Sequence, residues 1–244
     1  MKALKKIILL FVIIPLLISC GGGSDGDDGG GSGTSLAGTW VGTLEDGTGV
    51  LHSLTVTLGS NTSITSIVID GTNQNMTGTI TAVSSSINAK LFSFVLSDTT
   101  EGGFFADPSL NYIAYVDEDF SFGVLQKEAG GLPTYTSSDI VGSWAGYSIE
   151  LNSNFDISAE YFSVATVQTS GSFTDVASLP SGDLISTGAF SSYYPNYGKY
   201  VGNYSNTVDS GTISAFLSVD KRFSASWGCA GAFPTNCSFS AWVK

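Results

Sequence analysis

From residue 36 onward, apolar and polar side chains alternate in short runs. SLTVTL (53–58) alternates strictly: Leu54, Val56 and Leu58 share one face, and Ser53, Thr55 and Thr57 share the other. SITSIVI, TGTIT, LFSFVL, YIAYV, FSFGVL, TISAFLSV and FSAWV follow similar patterns. Gly, Asn, Asp and Ser punctuate the chain between these runs, which marks turns between short strands. No stretch beyond residue 35 carries a helical period. The pattern predicts an all-β chain: two tandem antiparallel β-domains, small barrels or sandwiches of about seven to eight strands each.

The division into two rests on an internal repeat. LAGTWVGTL (36–44) and IVGSWAGYS (140–148) both contain Gly-x-Trp-x-Gly, with Trp40 and Trp144 104 residues apart, as are Gly38 and Gly142. VDEDFSF (116–122) and VDKRFSA (219–225) suggest a second matched pair, offset by 103 residues. A near-constant offset argues for duplication. The expected boundaries are a first β-domain over 36–128, a linker over 129–138 and a second β-domain over 139–244. Residues 35–128 and 138–244 are expected to fold as separate units.

In the repeated motif, strand alternation places Trp and both flanking Gly on one face, which leaves room for the indole across the strand. Leu36–Leu44 and Ile140–Ser148 resemble the first-strand Gly-x-Trp motif of lipocalin-like and avidin-like barrels. That resemblance implies a Trp that closes one end of each barrel, and it makes a carrier of a small apolar ligand one functional expectation. In lipocalins an Arg lies across this Trp, and the resemblance implies the same only for the second domain. Arg222 is the expected partner in the second domain, while the first has Asp119 at the matching place. A two-sheet sandwich with a core Trp is the alternative. A core packed with Trp40, Phe92, Phe94 and Tyr112, or with Trp144, Phe162, Phe216 and Trp227, would leave no room for a ligand.

The N-terminus carries a different signal. Lys2, Lys5 and Lys6 precede an apolar run of 12 residues, Ile7–Ile18. That run is too short to span a bilayer, which takes about 20 residues, and fits a secretory signal peptide over 1–19. It ends in Leu17-Ile18-Ser19-Cys20, which resembles the lipobox of bacterial lipoproteins. The resemblance implies acylation of Cys20, palmitate included, and a membrane-anchored lipoprotein. With Gly21 rather than Asp after the Cys, it implies the outer membrane. Residues 21–35, GGGSDGDDGGGSGTS, then read as a flexible, solvated tether.

Composition sharpens this picture. Without residues 1–19 the chain holds 6 Lys and Arg against 21 Asp and Glu, a net charge of −15. Such a chain repels phosphate backbones, so no nucleic-acid partner is expected. Once Cys20 takes lipid, Cys229 and Cys237 remain, with seven residues between them in CAGAFPTNC, and an oxidising envelope favours a disulfide between them.

Catalytic chemistry is sparse. His52 is the only His, no Gly-x-Ser-x-Gly elbow occurs, and no cluster has metal-ligand spacing. The sequence therefore predicts neither an enzyme, a metal site nor a cofactor. Asp117, Glu118 and Asp119 read as a solvated turn. The most distinctive polar-aromatic segment is SSYYPNYGKY (191–200), where Tyr193, Tyr194, Tyr197 and Tyr200 suggest a recognition surface or a packed sheet rim. The favoured function is a non-catalytic surface-interaction or envelope-structure module. Its partners would be the membrane, through the lipid, and a protein, a glycan or a small apolar ligand.

Overall fold

A computed structural model describes residues 35–85, 89–151, 157–179, 181–230 and 237–244. The signal peptide, the lipobox with Cys20 and all but the last residue of the tether lie outside the described residues. Among the described residues every regular element is a strand, as the alternation predicts.

The first nine strands are β1 (Gly38–Glu45), β2 (Leu51–Leu58), β3 (Ser63–Ile69), β4 (Thr72–Asn73), β5 (Gly78–Val83), β6 (Lys90–Leu96), β7 (Glu101–Ala106), β8 (Tyr112–Asp117) and β9 (Phe122–Lys127). They run antiparallel in the order β2-β1-β9-β8-β7-β6-β5-β3, and pairing of β2 with β3 closes an eight-strand barrel. The two-residue β4 pairs only with β3. A second closed barrel follows: β10 (Gly142–Leu151), β11 (Ile157–Val167), β12 (Ser172–Leu179), β13 (Gly182–Tyr194), β14 (Lys199–Ser205), β15 (Ser210–Leu217), β16 (Phe223–Ala230) and β17 (Cys237–Val243). The Cys229–Cys237 disulfide joins β16 to β17 at directly paired positions.

The repeated motif opens each barrel in the same way. Trp40 and Trp144 are buried, and their indole N–H groups donate to the carbonyls of Leu36 (2.9 Å) and Ile140 (2.8 Å). Lys127 lies over the Trp40 ring at 5.9 Å and Lys244 over the Trp144 ring at 5.2 Å. The basic side chain across each Trp is therefore a Lys from the strand-end next to β1 or β10. It is not Arg222, which is exposed, nor does Asp119 take part. The two glycines serve these neighbours. Gly38 and Gly142 hold φ of 136° and 140°, and a Cβ there would sit 2.8 Å from Lys127 Cε or Lys244 Cε. A Cβ on Gly42 or Gly146 would fall within 2 Å of a carbonyl oxygen of β9 or β17.

Counted from the two Trp residues, the strand registers match across the barrels, and the second repeat pair needs correction. VDEDFSF forms the β8–β9 turn, whereas VDKRFSA spans the β15–β16 turn, one hairpin earlier in its barrel. The equivalent of the β15–β16 turn is the β7–β8 turn. Leu110 (φ 57°) and Lys221 (φ 66°) share its left-handed conformation, and their amides donate to Asp107 and Ser218 respectively.

The barrels pack side by side across a quasi-two-fold axis. Phe105 and Phe216, Ala114 and Ala225, and Phe122 and Phe239 occupy equivalent outward positions, and all six are buried in one shared cluster. Phe105 meets Phe239 at 5.4 Å, and its counterpart Phe216 meets Phe122 at 5.2 Å. Lys199 pairs with Glu45 across the seam, and Thr43 donates to the Tyr197 carbonyl at 2.9 Å. The two domains are thus joined by an apolar face, where the sequence predicts independence. The segment between them is packed as well: Tyr135 is buried and its hydroxyl reaches the Leu217 and Ser218 carbonyls.

Candidate functional site: the interior of the second barrel

The two interiors differ although the strands match. The first barrel is filled by Leu44, Leu54, Val56, Ile113 and Tyr115, among others. The register-equivalent positions of the second barrel are Ser148, Ser163, Ala165, Ser224 and Ser226. Large apolar side chains in one barrel are exchanged for small ones in the other. The first barrel keeps a cavity of about 250 Å³ among residues such as Leu54, Ile64, Phe94 and Phe104. The second holds a cavity of about 730 Å³ that reaches the rim at the exposed Val208, within the roughly 300–1,000 Å³ of small-molecule sites.

Three of the aromatic residues expected to fill the second barrel point away from it. Phe216 is buried between the barrels, Trp227 packs against the same cluster, and Phe162 is exposed on the outer surface. In the first barrel Tyr112 likewise faces the seam, whereas Trp40, Phe92 and Phe94 face inward. The alternation in β16 is inverted relative to a filled barrel: Phe223, Ala225 and Trp227 face outward, while Ser224, Ser226 and Gly228 line the cavity.

The cavity has a floor and a polar wall. Trp144, Phe173 and Phe190 lie toward the end that Tyr135 and Ile140 close. Ser148 bonds Ser240 at 2.7 Å, and Trp242 donates its indole N–H to Ser163 at 2.8 Å. Glu150, Asp175, Asp183 and Asp209 also line the cavity, and no Lys, Arg or His does among the described residues. Burial raises the Asp175 carboxyl to about 6, although the Ser163 hydroxyl and the Val176 amide favour its ionised form. Burial also raises Glu150, and the nearby Asp209 raises it further. Tyr161, itself raised by burial, is bonded to Glu150, and Tyr204, pushed up to about 12, is bonded to Asp209. One oxygen of Asp175 and one of Asp209 are shut from solvent with no hydrogen-bond partner. Among the described residues, no group of three or more His, Cys, Asp or Glu is placed to hold a metal ion.

The Tyr segment lies elsewhere, at the seam end of β13 and β14. Tyr200 is 2% exposed and donates to the Thr136 carbonyl at 2.5 Å, so it belongs to the core. Tyr197 is half-buried, and its carbonyl is engaged by Thr43. Tyr193 and Tyr194 are each 44% exposed; Tyr193 stacks on Tyr200, and Lys199 lies over Tyr194. The four do not form one open platform. His52 sits at the rim of the first barrel between Asp70 (2.7 Å) and Asp46 (3.3 Å). In the Asp117–Asp119 turn, the Asp117 carboxylate accepts from the Asp119 and Ser121 amides, which makes the cluster a self-capped hairpin.

Sequence reasoning missed the interior acids. The available signal was the recurrence of Ser at alternate positions in β16 and β17, opposite a run of aromatic and small apolar side chains.

Two tandem eight-strand barrels resemble lipocalin-like small barrels. No protein-family model and no curated protein matches the chain. Among solved structures, a selenomethionine derivative of a biogenic amine-binding protein aligns at 14% identity over 47% of this chain and 70% of that one, with a TM-score of 0.35. A DUF3598-family protein of unknown function from Nostoc punctiforme aligns at 9% identity over 85% of this chain and 96% of that one, with a TM-score of 0.33. Likeness at this level carries no statement about what this chain binds.

Proposed function

We propose that the protein is a non-catalytic carrier that holds a small molecule inside its second barrel, with the first barrel as its packed support. The observation that carries this reading is the exchange of Leu54, Ile113 and Tyr115 for Ser163, Ser224 and Ser226 at matched positions, which leaves a cavity of about 730 Å³. Empty space of that size forfeits packing, and a structural barrel gains from filling it. The lipobox-like sequence at Cys20 supports a site of action at the cell envelope, held to the outer membrane by lipid. The surface-module reading loses weight because the four Tyr residues do not share one exposed face: Tyr200 is in the core and the Tyr197 carbonyl is engaged by Thr43.

Native mass spectrometry of the protein after exposure to envelope extract tests the proposal. A bound mass is expected in the wild type, and its absence from a Ser224→Ile, Ser226→Leu variant places it inside the barrel. A wild type that stays free of ligand, or a variant that retains it, overturns the carrier reading.

A further inference from the structure

Resting on the carrier reading, we propose that the second barrel takes a small organic cation. Its charged nitrogen lies at the Glu150–Asp209 end of the barrel, and its apolar body reaches past Asp175 toward Trp144, Phe173 and Phe190.

The first argument is charge. Among the described residues, four carboxylates line the cavity, the exposed Asp183 at its rim, with no basic side chain opposite them. A buried acid without a counter-charge is costly, and natural interiors pair such groups. Two of these carboxylates retain an oxygen that the chain does not satisfy. An ammonium group at the Glu150–Asp209 end supplies the counter-charge and the donor that Asp209 lacks. An anionic ligand would meet repulsion from every charged group in the wall. A neutral apolar ligand would leave the unmet acceptors as they are.

The second argument is placement. Glu150 lies near the end of β10, and Asp209 lies in the β14–β15 turn, where the Asn206 side chain accepts from its amide at 2.8 Å. Both stand at the end of the barrel away from Trp144. Asp175 lies deeper, on β12 two residues from Phe173 and on the same face. The carboxylates are spread along the wall and do not converge, in keeping with the lack of a metal-holding group among the described residues. A divalent ion needs ligands gathered around one point. An extended ammonium compound does not, and its apolar part gains from the aromatic floor.

Calorimetric titration with three isosteric probes tests this: 3-phenylpropylammonium, 3-phenylpropanol and 3-phenylpropionate. The ammonium compound is expected to bind at least tenfold more tightly than the alcohol, and the carboxylate more weakly than either. A Glu150→Gln, Asp175→Asn, Asp209→Asn variant should bring the ammonium and alcohol affinities within about threefold of each other, with circular dichroism confirming the fold. Equal or tighter binding of the alcohol or the carboxylate by the wild type overturns the cation assignment and leaves the carrier reading standing. If none of the three binds, the cation assignment also falls, and the mass of any ligand taken from extract decides the carrier reading separately.

Discussion

Tyr112 of the first barrel and Phe223 of the second stack with ring centroids 5.2 Å apart and planes 6° from parallel. They occupy the same position, two residues after the left-handed residue of matching turns, so they meet close to the axis that relates the barrels. The Tyr112 hydroxyl donates to Asp220 at 2.5 Å, and Gln126 accepts from the Asp220 amide. Around this pair the outward side chains of β7, β8 and β9 bury against those of β15, β16 and β17.

This packing predicts a single cooperative unit. Separated halves, residues 35–128 and 138–244, would each expose a contiguous apolar face, a feature of interacting or aggregating surfaces. Each half is expected to self-associate on size-exclusion chromatography, and the intact chain to melt in one transition. Phe216→Ala should cost about 3–5 kcal/mol in that transition. Two separate melts of the intact chain, with monomeric halves, would refute the unit.

The matched barrels show what the sequence makes legible. Strand alternation and turn residues give the all-β class, and Gly-x-Trp-x-Gly marks the start of each barrel because two close approaches require its glycines. Which face of a strand is inward is not legible from alternation alone. In FSASWG the apolar face is the obvious core, yet Phe223, Ala225 and Trp227 serve the other barrel and Ser224 and Ser226 face the cavity. A strand buried on both sides has two interiors, and the hydrophobic pattern does not rank them. The acids are hidden for the same reason: Glu150, Asp175 and Asp209 are ordinary surface types until closure of the barrel brings them to one lumen.

Asp175 gives the stability of the ligand-free protein a pH signature. Its carboxyl is raised to about 6 in the folded state, above the ordinary value of 3.8, chiefly by burial. Below the ordinary value both states are protonated and there is no penalty. Above the folded value both are ionised and the full penalty applies. Its contribution therefore makes the protein less stable as pH rises from about 4 to about 7. Asp175→Asn should remove this trend and stabilise the protein at pH 7.5 by on the order of 1–2 kcal/mol. Thermal melts of both proteins at pH 5 and pH 7.5 measure it; an equal difference at the two pH values would count against the assignment.

His52 moves stability in the same direction with pH, as a stabilisation that is lost rather than a penalty that appears. Its hydrogen bond to Asp70 raises its pKa above 6.5, with Asp46 contributing further. A raised His contributes stability that is fully present below 6.5 and is lost as pH rises through the folded value. His52 is the only His, so its ring protons titrate without overlap in a proton NMR spectrum. The midpoint should lie above 6.5 in the wild type and move down in Asp70→Asn, the variant that removes the larger cause. A midpoint at or below 6.5 in the wild type would contradict the ion pairs.

The last prediction concerns where the cavity operates. Leu17-Ile18-Ser19-Cys20 follows a short apolar run, and under the proposed acylation of Cys20 residues 21–35 would be a Gly-rich spacer between the lipid and the first barrel. A 15-residue Gly-rich coil spans on the order of 20 Å, enough to hold the barrels clear of the headgroups. Cys20→Ser should move the protein from the membrane pellet to the soluble fraction, with unchanged cavity binding, because the substitution lies outside the residues that line the cavity. Membrane association that survives Cys20→Ser would point to attachment through the barrels themselves. The exposed Phe162, Val164 and Ile185 on the outer wall of the second barrel would then be the place to look.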